Sequence, residues 1–148
     1  MKCFAFALCV FLVSAAFSQN IPDPVLEIGM GMGEPTGISI KYWVTERNAF
    51  DAGAGWSVKK RLLDLYLDYH YHYFWTEFDA KELPLYTGAG VMVSLSRDFM
   101  AGLRIPLGAE YLFEGPRLVT FVQVAPTFKM LPKPGLFIAG GLGIRYAF

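Results

Sequence analysis

The chain has 148 residues, enough for one domain, and its 13 Lys and Arg are matched by 13 Asp and Glu, which excludes the basic footprint of a nucleic-acid binder. Hydrophobic residues make up 54% and charged residues 18%, an apolar excess for a soluble domain. Yet no stretch after the N-terminal segment is long enough and free enough of charge and proline for a transmembrane helix. High apolarity without a helical span points to strands facing lipid.

The first residues read as a targeting segment. Lys2 supplies a positive start, Cys3 to Ala16 is almost wholly apolar, and Ala16-Phe17-Ser18 fits a small-x-small cleavage pattern. Residues 1–18 are predicted to be a cleaved secretory signal peptide and residues 19–148 a single β-barrel domain. Both cysteines, Cys3 and Cys9, lie in the signal, so the domain is expected to hold no disulfide.

Eight runs of alternating character follow, separated by turn signals. They are Val25–Gly33, Gly37–Val44, Ala49–Val58, Leu62–Trp75, Leu83–Ser96, Met100–Phe113, Leu118–Met130 and Leu136–Phe148. Their lengths approach the roughly 9–11 residues that a tilted strand needs to cross a bilayer. Pro106 and Pro126 fall inside runs, where each removes a ladder donor, and a bulge is expected at each. The seventh run has a blurred phase, with Phe121 on its polar side.

Alternation alone does not say which face is inside. One phase is greasy, as in Ile38, Ile40, Tyr42 and Val44, or Leu63, Leu65, Leu67 and Tyr69. The other holds Glu27, Lys41, Asp51, Asp64, Asp68, His70, His72, Arg104, Glu110, Gln123 and Arg145. It also holds Gly29, Gly31, Gly37, Gly53, Gly55, Gly88, Gly90, Gly102, Gly108, Gly141 and Gly143. Glycine weakens a strand and serves little purpose on a soluble exterior. It does serve one inside an eight-stranded barrel, whose interior barely fits side chains. The glycine-and-charge phase is therefore placed in the lumen and the greasy phase in lipid. The inverse, a soluble lipocalin-like carrier of an apolar ligand, is the alternative.

In an even-stranded barrel both termini lie on one side. Tyr42, Phe50, Tyr73, Trp75, Tyr111, Phe113, Tyr146 and Phe148 all fall at that level and are predicted to form one interfacial girdle. Glu27, Lys41, Asp51, His70, His72, Glu110, Gln123 and Arg145 project into the same half of the lumen. Signs alternate between neighbouring strands there: Arg145 beside Glu27, Glu27 beside Lys41, Lys41 beside Asp51. Buried charge is tolerable when paired, so a mutually neutralising plug is expected, with a proton relay or narrow pore as the alternative.

Asp68-x-His70-x-His72 sets three potential ligands on one strand face, a pattern that can chelate zinc or copper. Without cysteine or a second ligand strand it reads as polar lumen residues, and neither metal nor cofactor is expected. A Ser–His–acid site would need Asp64 or Asp68 with His70 and a mid-lumen serine. Ser57, Ser94 and Ser96 lie near the far rim, away from His72, so no enzymatic activity is expected.

The last run, with Gly141-x-Gly143-x-Arg145-Tyr146-x-Phe148, resembles the closing strand of bacterial outer-membrane barrels. With the signal segment and the eight runs it makes the whole chain similar to the small proteins grouped with the OmpA transmembrane domain and OmpX. That resemblance implies an all-β fold, an eight-stranded antiparallel up-and-down transmembrane β-barrel, here with short turns at both ends. It implies an outer-membrane location, with the termini on the periplasmic side. Leu142, Ile144, Tyr146 and Phe148 become the signal read by the barrel-assembly machinery. The implied partners are that machinery and outer-membrane lipid, and the molecule is expected to be a monomer. The implied role is structural or surface-interacting. A small pore or a lipid-modifying outer-membrane enzyme is the alternative.

Overall fold

The computed structural model describes residues 26–57, 62–73, 84–113 and 116–148. The predicted signal segment, Trp75 and the linker after it lie outside them. The described residues form nine strands and no helix long and apolar enough to cross a membrane. The strands are β1 (Leu26–Glu34), β2 (Thr36–Trp43), β3 (Asn48–Ser57), β4 (Leu62–Tyr73), β5 (Leu85–Leu95), β6 (Met100–Arg104), β7 (Leu107–Leu112), β8 (Leu118–Leu131) and β9 (Gly135–Ala147).

Every pairing is antiparallel. Neighbours in sequence pair from β1 through β6, β7 continues between β5 and β8, and β9 pairs with both β8 and β1. The pairings close on themselves, so the sheet is a ring with no free edge. β6 and β7 both lie between β5 and β8, so together they form one stave. The nine strands thus make eight staves, in the up-and-down order expected.

The predicted sixth run is broken at Ile105-Pro106. Proline has no N–H for the ladder, and the gap is bridged through carbonyls: Gly88 donates its N–H to the Pro106 oxygen at 2.9 Å. Pro126 behaves differently from expectation. β8 runs through it without a bulge, with Pro126 opposite Ile138. Its carbonyl accepts from Ile105 N–H at 2.9 Å. A residue's N–H and C=O point the same way in a strand, so the missing Pro126 donor faces Ile105, and one ladder bond is lost beside the break at Ile105-Pro106. The irregularity near this stave falls instead at Ala101/Gly102.

The usual distribution of residues is inverted. Glu27, Lys41, Asp51, Asp68, His70, His72, Glu110 and Arg145 are each no more than 1% exposed. Met30, Ile40, Leu67, Val91, Leu103, Val122, Ile138 and Leu142 are all exposed, Ile138 at 71%. Alternation therefore holds around the ring, with polar side chains inward and hydrocarbon outward.

At the end bearing Leu26 and Ala147, aromatic rings pair edge to face on the outside. Tyr146 meets Phe148 at 5.0 Å, Tyr111 meets Phe113 at 4.9 Å, and Phe50 meets Tyr69 at 5.3 Å. Tyr73 is exposed and packs on Tyr71 at 4.9 Å, and Tyr42 is half-buried.

Candidate functional site: the lumen ion-pair cluster

Arg145 projects from β9 into the lumen and is 1% exposed. It faces Gly29 on β1 and Val119 on β8, and Gly143 is the next inward residue of its own strand. A Cβ at Gly29 would overlap the β9 backbone at Ile144 and Arg145, so only glycine permits this approach.

The guanidinium is the hub of the site. Nη2 donates to Asp51 Oδ2 at 2.5 Å, Nη1 to Glu110 Oε1 at 3.0 Å, and Nε to Ser39 Oγ at 2.9 Å. Glu27 Oε2 lies 3.8 Å from Nη1. Ser39 in turn donates to Asp51 Oδ1 at 3.1 Å. The flat face of the guanidinium rests on the Phe121 ring, 3.9 Å from its centre. The blurred phase of the seventh run thus has a purpose, since Phe121 supplies the floor under Arg145.

Lys41 closes the other side. Its Nζ donates to Glu110 Oε1 at 2.5 Å and lies 4.3 Å from the centre of the Trp43 ring. It also lies 2.8 Å from His72 Nε2. The other ring nitrogen, Nδ1, lies 3.1 Å from the carbonyl oxygen of Arg47. A carbonyl only accepts, so Nδ1 carries the hydrogen and Nε2 accepts from the ammonium. Trp43 donates Nε1–H to Glu27 Oε1 at 2.7 Å. Tyr86 donates its hydroxyl to Gln123 Oε1 at 2.7 Å and stacks on His70, ring centres 4.5 Å apart.

Of the neighbouring-strand pairs expected, Arg145 and Glu27 come within ion-pair distance, at 3.8 Å. Register sets Glu27 opposite Lys41 and Lys41 opposite Asp51. The short contacts instead run across the barrel, Lys41 to Glu110 and Arg145 to Asp51 and Glu110. A narrow closed barrel brings inward side chains of non-neighbouring strands within reach of one another, so the short ion pairs span the lumen.

Three charged residues of the glycine-bearing phase, Arg104, Asp68 and Asp64, stand apart from the hub. Arg104 Nε lies 3.1 Å from Asp68 Oδ2, and its guanidinium covers the Tyr66 ring at 4.4 Å. Asp64 accepts from Ser94 Oγ nearer the opposite end and joins neither cluster. His70 sits between the groups, Nδ1 4.0 Å from Asp51 Oδ2 and Nε2 3.9 Å from Asp68 Oδ2. No group of three His, Cys, Asp or Glu among the described residues is arranged to hold a metal ion.

Three lumen rings were not picked out from the sequence: Trp43, Tyr66 and Tyr86. Each occupies an inward position by parity, which is the signal that would have found them. Tyr66, Tyr86 and Phe121 share one device. Each faces a glycine in the register, Gly53, Gly108 and Gly143, and a Cβ there would enter the ring. The glycines are the recesses into which the lumen aromatics lie.

A closed antiparallel ring with a charged lumen and a hydrocarbon exterior defines the class: a small up-and-down β-barrel. Its fold is similar to that of the N-terminal β-barrel domain of Pseudomonas aeruginosa OprF, known from a crystal structure, with a TM-score of 0.60. The two share 20% sequence identity over 83% of this chain and 95% of that one. No protein-family model matches the chain, and no curated protein sequence does. The likeness expected from the eight runs and the terminal strand is thus found in the fold.

Proposed function

We propose that the chain is an integral outer-membrane β-barrel protein whose lumen is plugged, and that it serves the membrane structurally or at its surface. The observation that carries this reading is the inversion of polarity. Charged side chains are buried, while the ring's outer surface presents Ile, Leu, Val, Met and aromatic side chains. Such a surface is stable against acyl chains and not against water. The exposed aromatic pairs at one end suit the membrane–water boundary.

A plug is favoured over an open channel because buried side chains meet across the interior at the terminus end. Arg145, Lys41, Glu110, Asp51 and the rings of Trp43, Tyr86 and Phe121 contact one another there. An enzyme is disfavoured by the serines. Ser39 is bonded to Arg145 and Asp51, and Ser94 to Asp64, so neither pairs with a histidine. A soluble carrier of apolar ligands would need an apolar interior, which Lys41, Glu110 and Arg145 deny it.

Cell fractionation with gel electrophoresis tests the reading. The mature chain should appear in the outer-membrane fraction, and its band should shift on heating, as a folded barrel's does. Recovery as a monomer from the soluble fraction, without detergent, would overturn it. Planar-bilayer recording should show no steady conductance.

A further inference from the structure

The lumen is not filled along its whole length. Toward the end away from Leu26 and Ala147 a cavity of about 470 Å3 opens, lined by Asp64, Met92, Ser94, Met100, Phe137 and Ala139. It exists because inward positions of β8 and β9 at this depth are small, with Ala125, Ala139 and Gly141 where a bulky residue would fill the space. The volume lies within the range of small-molecule pockets.

Its chemistry is specific. Asp64 is 5% exposed and its Oδ1 accepts from Ser94 Oγ. Among the described residues no ammonium or guanidinium lies within ion-pair distance of it. Lys129, the cation on the cavity wall, lies over Gly135 at the β8–β9 turn. The rest of the wall is Met92, Met100, Phe137 and Ala139, with Pro35, Ile138 and a second carboxylate, Glu34. A buried carboxylate with one hydroxyl donor is costly unless a cation joins it. Thioether sulfur and an aromatic face are polarizable surfaces that suit the flank of an organic cation.

We propose that this cavity binds a small organic cation with an apolar body, its ammonium on Asp64 and its hydrocarbon against Met92, Met100 and Phe137. An anion would meet Asp64 and be repelled. A neutral hydrocarbon would leave the carboxylate buried and unpaired. A bare metal ion would find no group of three acidic, histidine or cysteine ligands among the described residues. The site lies beyond the plug and goes beyond the membrane-structural role, depending on the barrel fold alone.

Calorimetry tests it, with the mature barrel folded in nanodiscs of zwitterionic phospholipid and benzyltrimethylammonium as the probe. Its charge is permanent, so protonation does not enter. The cation should bind saturably and benzenesulfonate should not. Asp64→Asn should weaken cation binding by at least about tenfold. Ala139→Phe, which fills the cavity and leaves the charge, should abolish it. Heat-dependent migration monitors folding of each variant, so loss of binding by a folded barrel is separable from loss of the barrel itself. Should either variant fail to fold, the other and the comparison of the two probes decide. No cation binding to the folded wild type, equal binding of benzenesulfonate, or undiminished binding by folded Asp64→Asn would overturn the proposal.

Discussion

Lys41 and Glu110 form an ion pair across the lumen. Their side chains meet at 2.5 Å, although β2 and β7 share no pairing. Both residues are fully buried, so each protects the other from an uncompensated charge. Lys41→Met should therefore cost about 3–5 kcal/mol, because it leaves Glu110 with Arg145 as its one remaining cation among the described residues. The double variant Lys41→Met/Glu110→Gln should cost less than the two single changes added together. Urea unfolding from lipid vesicles measures all three. Strictly additive losses would mean that the pair is not a unit.

Gly53 and Tyr66 face each other on β3 and β4, and the tyrosine ring occupies the space where a Gly53 side chain would lie. Gly53→Val should destabilise the barrel by about 1–3 kcal/mol through overpacking. In a Tyr66→Ala background the same change should cost much less, since the ring is gone. An equal penalty in both backgrounds would show that the glycine is required for some reason other than the ring.

His72 should hold one tautomer. The Arg47 carbonyl fixes the hydrogen on Nδ1, leaving Nε2 to accept from Lys41. Nitrogen-15 spectra of the folded barrel in micelles should show Nδ1 protonated and Nε2 bare. A hydrogen on Nε2 would set two donors face to face and contradict the arrangement. Replacing His72 by Phe should cost stability through Lys41, so the same spectra of Lys41→Met, with an altered Nε2 resonance, complete the check.

Much of the fold was legible because a strand's side chains alternate with a period of two. Lys41, Asp51 and Arg145 fall on the glycine-bearing phase, and all three are buried. Turn signals delimited seven staves as continuous strands, and Pro106 marked the one that breaks. What alternation does not carry is depth. It says that Glu110 points inward, not that Glu110 meets Lys41 from the opposite side, because stagger is a property of the closed ring. Asp64 read as an inward residue outside the eight of the terminus half, and it lies with Ser94 toward the other end. Pro126 was misjudged on a local rule. The strand gives up one donor toward Ile105 but keeps the bond to its own carbonyl and its register with β9, so no bulge is needed.

The assignment of inside and outside is tested most directly by quenching of single tryptophans with brominated lipids. One protein would keep Trp43, which is 6% exposed and bonded to Glu27, with Trp56 and Trp75 replaced by Phe. The other would carry Leu67→Trp in a background with all three native tryptophans replaced by Phe; Leu67 is 49% exposed on the outer surface of β4. In vesicles with bromine on the acyl chains, the indole at position 67 should be strongly quenched and that at position 43 left bright. Strong quenching of Trp43 with position 67 untouched would contradict the account.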